Sequence, residues 1–213
     1  MDVELEARGL GHRYAAARGL DPLDFALKGP GLVAVTGPNG SGKSTLLRIL
    51  AGLLRPSLGR SRVRVGDAEF RQADRRLVTG WASPDLHFYA EFTVRENLGF
   101  AAEARGFSDA TGAVGSAVAA VGLDSRLDDR VAALSSGMQQ RLRLAFALLG
   151  DPPVLLLDEP GSHLDEGGRA RLRDVLERKS ATTRVVLATN DSKETELAEQ
   201  RIALTGRGLG DPA

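Results

Sequence analysis

The sequence predicts an α/β fold with a mainly parallel core sheet. Three short apolar runs, residues 32–35, 154–157 and 185–188, have the length and composition of strands that are buried on both faces. Segments with helical spacing of apolar residues lie between these runs, and such an alternation is typical of a parallel sheet. The first run is followed at once by a glycine-rich loop and a helical segment.

The segment before the first apolar run has a different pattern. Residues 3–32 alternate weakly between apolar and polar side chains and contain Gly, Pro and Asp turns, which predicts short antiparallel strands. Residues 61–70 predict an edge hairpin, residues 77–81 a further strand, and residues 201–204 a last one. We therefore expect an N-terminal antiparallel β-subdomain beside the parallel core.

Helical spacing of apolar residues recurs along the rest of the chain. It predicts helices at residues 43–54, 94–104, 110–121, 137–149 and 168–179. The helical block from about 85 to 135 interrupts the pattern of the sheet and is interpreted as an inserted helical subdomain. With no linker or internal repeat in view, we expect one domain over residues 1–205 and a flexible glycine-rich tail over residues 206–213.

The composition excludes several classes of function. The 213 residues contain 28 Lys and Arg and 28 Asp and Glu, so the net charge is zero and there is no basic excess of the kind that nucleic-acid binders usually carry. The absence of cysteine excludes disulfides, thiol catalysis and Cys-ligated metals. No apolar run approaches the ~18 residues of a membrane span, and the N-terminus lacks the pattern of a signal peptide.

The strongest motif follows the first apolar run and matches the phosphate-loop pattern G-x-x-x-x-G-K-[ST]. Its residues are Gly37, Pro38, Asn39, Gly40, Ser41, Gly42, Lys43, Ser44 and Thr45. Glycines let backbone N–H groups curl around phosphate oxygens, and the N-terminus of the next helix adds positive potential. We expect Lys43 to contact the β- and γ-phosphates of a bound nucleotide and Ser44 to ligate Mg²⁺. The alternative is a flexible turn before a helix, but the flanking strand and helix favour a P-loop NTPase core.

A second motif ends the second apolar run. There, two adjacent carboxylates, Asp158 and Glu159, precede Pro160. We expect Asp158 to hold Mg²⁺ through its water shell and Glu159 to polarise the attacking water as a general base. Alone, such a strand end is as often a solvated turn; together with the phosphate loop it indicates nucleotide hydrolysis.

A third motif begins the helix predicted at 137–149. Ser135 is placed to cap this helix, which stabilises it by about 1 kcal/mol. Ser135, Ser136 and Gly137 at a helix N-terminus also form a second candidate anion site in the same chain.

The order of these motifs resembles that of an ATP-binding cassette (ABC) ATPase, over nearly the whole chain. The resemblance implies a nucleotide-binding subunit that forms a head-to-tail dimer, as a homodimer or with a related cassette, around two Mg-ATP. One protomer supplies the phosphate loop and the other Ser135–Gly137. It also implies adenine stacking on Tyr14, separate integral-membrane permease subunits, no nucleic-acid partner, and a cytoplasmic location at the inner face of the membrane. The alternative for Tyr14 is a half-buried strand tyrosine.

Three motifs depart from the family pattern. Ser136 and Met138 replace a Gly and the Gln of the usual Leu-Ser-Gly-Gly-Gln signature, a variant similar to exporter-type cassettes. Pro84 stands where the Gln loop has glutamine, so Ser83 or Asp85 would have to contact Mg²⁺ or water. Asn190 stands where the switch histidine is expected.

An Asn190 amide can donate to a γ-phosphate but cannot carry charge or a proton. Losing one stabilising contact costs on the order of 3 kcal/mol, or about 10²-fold in rate. We therefore expect tight ATP binding and slow hydrolysis, with Glu159, Asn190 and Lys43 as the catalytic residues. His163, in the segment that crosses the dimer interface in the family, is interpreted as an exposed loop residue.

Other functions fit less well. A hydrolysis-poor, ATP-gated clamp would account for Pro84 and Asn190. A nucleic-acid-associated ABC ATPase would usually carry coiled-coil arms or two cassettes in one chain. A small-molecule kinase would leave residues 135–141 without a role.

Overall fold

The structure, a computed structural model, describes residues 2–15 and 17–206 and contains two sheets. The predicted tail falls almost wholly on residues 207–213, outside the described part. The first sheet is antiparallel, in the order β2-β1-β4-β5. Its strands are β1 (Val3–Tyr14), β2 (Ala17–Lys28), β4 (Leu58–Val65) and β5 (Ala68–Glu69). Where we expected several short strands before residue 32, there is one long hairpin, because bulges in β1 absorb the irregular pattern.

The second sheet is parallel throughout, in the order β6-β7-β8-β3-β9. Its strands are β3 (Gly31–Thr36), β6 (Thr79–Ala82), β7 (Val154–Asp158), β8 (Arg184–Ala188) and β9 (Gln200–Ala203). The three apolar runs are therefore adjacent strands of one sheet, with β8 between β7 and β3. The predicted α/β class with a parallel core and an antiparallel β-subdomain is confirmed.

The helices lie close to their predicted positions. They are α1 (Lys43–Leu50), α2 (Val94–Ala104), α3 (Ala110–Val121), α4 (Ser136–Leu148), α5 (Glu166–Ser180) and α6 (Ser192–Thr195). The prediction that α1 continues to residue 54 is wrong, because Gly52 adopts a left-handed conformation with φ of +80° and ends the helix. The one-turn helix α6 was not predicted, since four residues carry no periodic signal.

Alternate side chains of the parallel strands fill two cores. Leu155 and Leu157 of β7 join the core formed with α2, α3, α4 and α5. Val154 and Leu156 of the same strand point the other way, into the core shared by α1 and the antiparallel sheet. The parallel sheet is thus covered on both faces, and in such sheets ligands bind at the carboxyl ends of the strands.

No helix among residues 2–15 and 17–206 is both long and apolar enough to cross a lipid bilayer.

Candidate nucleotide-binding site

The glycine-rich loop joins the end of β3 to the start of α1. Gly37, Gly40 and Gly42 have φ values of +150°, +81° and +98°, which side-chain-bearing residues rarely adopt. A Cβ on Gly42 would lie 2.8 Å from the carbonyl oxygen of Gly19, whereas one on Gly40 would meet nothing within 4 Å. The loop is therefore packed on its inner side and open on its outer side, as a phosphate cradle must be.

Lys43 is the first residue of α1, and its side chain turns back over this loop. Its Nζ donates to the carbonyl oxygen of Gly37 at 2.8 Å and, at 3.4 Å, to that of Pro38. The residue is only 7 % exposed, so these carbonyls replace the water that its ammonium loses. Beside it, the buried Oγ of Ser41 has no hydrogen-bond partner within the described residues. The loop thus holds a cation together with an unused hydroxyl.

The two carboxylates stand at the carboxyl end of β7. Asp158 is buried, and its Oδ1 has no partner in the part of the chain that the structure describes. Burial raises the pKa of Asp158, while a hydrogen bond with Ser44 and the charges of Arg48 and Lys43 act to lower it. An orphaned carboxylate oxygen beside a serine hydroxyl suits a hard cation such as Mg²⁺.

Glu159 follows directly and has a left-handed backbone, with φ of +48°. Its N–H donates to the Ala188 carbonyl at 2.8 Å, which ties the turn to the end of β8. Burial raises the pKa of the half-buried Glu159 carboxyl, and the positive charge of Lys43 acts to lower it. A carboxyl with a raised pKa beside a phosphate cradle has the chemistry of a general base.

These groups share one cavity of about 350 Å³, which we call the phosphate cavity. Its lining is Gly19, Asn39, Gly40, Gly42, Lys43, Ser44, Thr45, Asp158 and Glu159. Among the described residues, no group of three or more His, Cys, Asp or Glu side chains is placed to hold a metal. A Mg²⁺ ion here would have Ser44 and Asp158 as protein ligands, and phosphate oxygens and water would complete its coordination.

Tyr14 lies at the end of β1, next to α1. Its hydroxyl is 3.3 Å from Oγ1 of Thr45, and the ring of His12 packs against it edge to face, with centroids 4.6 Å apart. The side chain is 37 % exposed and is outside the lining of the phosphate cavity. The ring of Tyr14 therefore lies beside Thr45, the residue that follows Ser44 in α1.

Ser135, Ser136 and Gly137 lie at the start of α4, where Ser135 and Ser136 are exposed and Gly137 is partly buried. Ser135 is the predicted N-cap: its Oγ accepts from the N–H of Met138 at 3.3 Å. None of the three lines the phosphate cavity of the same chain. A Cβ on Gly137 would lie 3.0 Å from the carbonyl oxygen of His163, so this helix end contacts the loop that follows β7.

The segment that carries Pro84 lies outside the phosphate cavity. Pro84 is exposed, Ser83 is buried, and the Asp85 carboxylate forms an ion pair with Arg48 of α1. Ser83 and Asp85 instead line a larger, mostly apolar groove of about 770 Å³, which we call the aromatic groove. Its aromatic side chains are Trp81, Phe88, Tyr89, Phe100 and Phe146.

Asn190 follows β8 and reaches the phosphate loop. In the amide orientation that satisfies its neighbours, its nitrogen donates to the Gly37 carbonyl at 2.8 Å and its oxygen accepts from Lys43 Nζ at 3.2 Å. The structure therefore places Asn190, at the position of the switch histidine, in contact with Lys43.

Two polar residues near the site were not singled out from the sequence. Nε2 of Gln140, in the middle of α4, donates to the carbonyl oxygens of Pro160 at 2.9 Å and Glu159 at 3.3 Å. Glu194 is a buried carboxylate behind Asn190. The sequence signal for Gln140 was a glutamine among the apolar residues of α4. Glu194 carried no signal, because the short helix α6 on which it lies was not predicted.

A phosphate cradle between a buried parallel strand and a helix, with a carboxylate pair at the end of β7, one strand removed from β3 in the same sheet, defines a P-loop nucleotide-binding protein. Comparison with known families narrows this class. The family described as "ABC transporter" matches residues 20–162. The chain belongs to the ABC transporter family, as an ATP-binding cassette.

Curated relatives agree with this assignment. The chain is 33 % identical over 211 residues to the sulfoquinovosyl glycerol transport ATP-binding protein SmoE of Agrobacterium fabrum (strain C58), covering 97 % of this chain and 58 % of that protein. It is 36 % identical over 217 residues to the Fe(3+) ions import ATP-binding protein FbpC 2 of Rhodococcus jostii (strain RHA1), covering 98 % and 61 %. The chain thus spans about three fifths of the length of these relatives.

Solved structures agree on the fold. A dimeric post-hydrolysis state of an ATP-binding cassette bound to ADP and Pi superposes with a TM-score of 0.82 at 22 % identity, covering 95 % of this chain and 94 % of that chain. A structure described as the ATP-binding subunit of an ABC transporter gives 0.79 at 28 % identity, covering 95 % and 86 %.

Proposed function

We propose that this cassette binds and hydrolyses ATP as the nucleotide-binding subunit of an ABC transporter, and that it dimerises around two Mg-ATP. One observation carries the proposal. Lys43, Asp158 and Glu159 meet in the phosphate cavity, while Ser135 and Ser136 at the start of α4 are exposed and do not line that cavity. A second copy supplies what the cavity of one chain lacks.

The phosphate loop and Lys43 bind the triphosphate. Glycines in this loop let its backbone approach the phosphate oxygens closely, and the N-terminus of α1 adds favourable potential for an anion. The Lys43 ammonium moves from the carbonyls of Gly37 and Pro38 to phosphate oxygens. Ser44 and Asp158 would hold Mg²⁺, which would neutralise negative charge on the phosphates.

Hydrolysis needs a water, a base and a contact for the γ-phosphate. Glu159 accepts a proton from the water, whose oxygen forms a bond to the γ-phosphorus. The bond from that phosphorus to the bridging oxygen breaks, so ADP and inorganic phosphate leave. Asn190 orients the γ-phosphate by donating from its amide, and its lack of charge keeps turnover slow.

The dimer brings Ser135, Ser136 and Gly137 of the second copy to the γ-phosphate. The Ser135 hydroxyl and the free N–H groups of the first turn of α4 provide donors, and the helix N-terminus favours negative charge. Ser136 and Met138 alter the family signature but leave these donors in place.

The aromatic groove is the proposed contact with a membrane permease subunit. It lies beside α2, and Phe100 and Tyr89 are 66 % and 62 % exposed there, which is unusual for large aromatic side chains. The curated relatives carry "transport" or "import" in their names, which supports a transporter subunit bound at the cytoplasmic face of the membrane. The exporter-like variant inferred from the signature stays a prediction.

The contact between Asn190 and Lys43 favours one alternative function, an ATP-gated clamp. If the contact between Asn190 and Lys43 blocks turnover, the protein would be an ATP-gated clamp that binds nucleotide and dimerises without repeated hydrolysis.

The proposal is tested by the mass in solution of Glu159→Gln, with and without Mg-ATP. Removing the base traps bound ATP while the cradle stays intact, so we expect a shift from monomer to dimer that requires ATP. The control is Glu166→Gln, because Glu166 is exposed in the first turn of α5. We expect this variant to hydrolyse ATP at the wild-type rate. A Glu159→Gln protein that binds ATP but stays monomeric would contradict the two-copy site. Wild-type protein that dimerises with ATP but releases no phosphate would favour the clamp.

A further inference from the structure

Glu194 is a buried carboxylate behind the nucleotide site. It lies on the one-turn helix α6 and is 7 % exposed, although its neighbours Ser192 and Lys193 are exposed. Its Oε2 has no hydrogen-bond partner within the described residues. Burying a carboxylate with an unsatisfied oxygen is costly, so packing alone does not account for this side chain.

One contact of Glu194 is with the segment that carries Asn190. The Thr189 hydroxyl donates to the Glu194 carboxylate, and the same hydroxyl oxygen accepts from the N–H of Asp191 at 3.0 Å. Thr189 is fully buried and its own N–H donates to the Val35 carbonyl at 3.2 Å. The residues on both sides of Asn190 are therefore fixed through one hydroxyl group that Glu194 orients.

The other contact is with the loop that carries Glu159. A Cβ built on Gly161 would lie 1.9 Å from Oε1 of Glu194, so the carboxylate is seated directly against the backbone of this loop. Gly161 stands two residues after Glu159, and its carbonyl accepts from the N–H of Leu164 at 3.3 Å. The side chain thus touches both segments that bring groups to the γ-phosphate.

We propose that Glu194 is a positioning residue that fixes the Asn190 segment relative to the Glu159 loop, and so sets the geometry of hydrolysis without touching the nucleotide. This inference rests on the proposed ATP hydrolysis. It predicts an effect on kcat and not on ATP binding, because Lys43 and the phosphate loop make no contact with Glu194. A shift of a few tenths of an ångström to 1 Å in either segment is enough, since such misplacements cost up to about 10²-fold in rate.

The proposed role of Glu194 does not depend on whether its carboxyl group is ionised. Burial, and to a smaller extent the charges of Asp191 and Glu159, raise the pKa of Glu194, while the hydrogen bond from Thr189 and the charge of Arg169 act to lower it. Neutral and ionised forms both keep an oxygen that accepts from Thr189. A glutamine in this place keeps it as well.

The test compares two variants of similar length with a surface control. Glu194→Met keeps the shape of the side chain and removes the acceptor, so kcat falls about tenfold or more while KM for ATP stays within about twofold. Glu194→Gln keeps the acceptor and restores kcat to within about threefold of the wild type. Glu196→Met, on an exposed residue two positions further along, leaves kcat and KM unchanged. Thr189→Val, which removes the hydroxyl, lowers kcat as Glu194→Met does, and the double variant is no slower than either single one.

A second measurement does not depend on turnover. Hydrogen exchange of the Asp191 amide is faster in Glu194→Met than in the wild type, because the Thr189 hydroxyl loses its orientation. Unchanged exchange, or a Glu194→Met protein with wild-type kcat, overturns the role of Glu194. A rise in KM together with a general loss of stability would show a structural role instead. Failure of the wild type itself to release phosphate counts against the proposed function, and the exchange result still decides the role of Glu194.

Discussion

The side-chain amide of Asn190 bridges Lys43 and Gly37 across the mouth of the phosphate loop. Its oxygen is 3.2 Å from Lys43 Nζ and its nitrogen 2.8 Å from the carbonyl oxygen of Gly37, which also accepts from Lys43 at 2.8 Å. The three groups form a closed set of hydrogen bonds, which binding of a γ-phosphate would open in the proposed mechanism. Asn190 is therefore a partner of the lysine, and we propose that it also contacts the phosphate.

Asn190→His is expected to raise kcat, by up to about 10²-fold. A histidine at this position no longer offers an amide oxygen to Lys43, and its imidazolium form adds positive charge beside the γ-phosphate. Phosphate release at saturating ATP measures the change. Asn190→Ala is the matched control and is expected to be slower than the wild type, since it has no donor. An Asn190→His protein no faster than the wild type would show that Asn190 does not limit turnover.

Tyr14→Ala is expected to weaken ATP binding. Stacking of a base on an aromatic ring contributes about 1–3 kcal/mol, which is about 5- to 150-fold in Kd. Tyr14→Phe is the control: it loses only the 3.3 Å contact with Thr45 and keeps the ring, so its Kd stays within about threefold of the wild type. Equal affinity of Tyr14→Ala and the wild type, measured by calorimetry, would leave Tyr14 as a strand residue without a role in binding.

Ser136→Asp, in the Glu159→Gln background, is expected to abolish the ATP-dependent dimer. An aspartate in the first turn of α4 is compatible with the helix dipole, but in the dimer it faces the γ-phosphate bound to the other copy. ATP binding by the monomer is unchanged, because Ser136 is outside the phosphate cavity of its own chain. Thr111→Asp places the same charge in the first turn of α3 and leaves the dimer intact. Dimer formation by Ser136→Asp would count against the proposed contact.

Glu194→Gln is expected to stabilise the protein more at high pH than at low pH. Burial raises the pKa of Glu194 in the folded state, so the folded wild type binds this proton more tightly than the unfolded chain does. Its contribution to stability is then fully present below the unfolded pKa and is lost as pH rises through the folded pKa. Glutamine does not titrate, so the difference in Tm between variant and wild type should grow as the pH rises from about 4, near the pKa of a glutamate in an unfolded chain, to about 8.

Glu196→Gln, on an exposed residue, is the control for this comparison and shows no such dependence on pH. A difference in Tm that stays constant across this range would mean that Glu194 titrates alike in the folded and unfolded states.

Much of the fold was predictable because its signals are local. Leu155 to Leu157 form a continuous apolar run, which suits only a strand covered on both faces, and β7 is such a strand. The predicted bounds of α2 and α3 agree with the structure, since a Thr93–Glu96 capping box and an Asp109 cap mark where these helices begin. The start of α6 carries a similar Asp191 cap, but one turn is too short for a periodic pattern.

The sequence by itself determined the phosphate loop, the carboxylate pair and the cap of α4, because each motif is a run of neighbouring residues whose chemistry depends on local backbone geometry. Only the tertiary structure decided which groups meet. Asn190 reaches Lys43 because β8 lies beside β3, and Asp85 forms an ion pair with Arg48 and does not line the phosphate cavity. Glu194 reaches Gly161 and Thr189 because α6 folds back behind the ends of β7 and β8. Contacts of this kind join residues far apart in the chain, and the order of strands in the sheet, which no single segment encodes, brings them together.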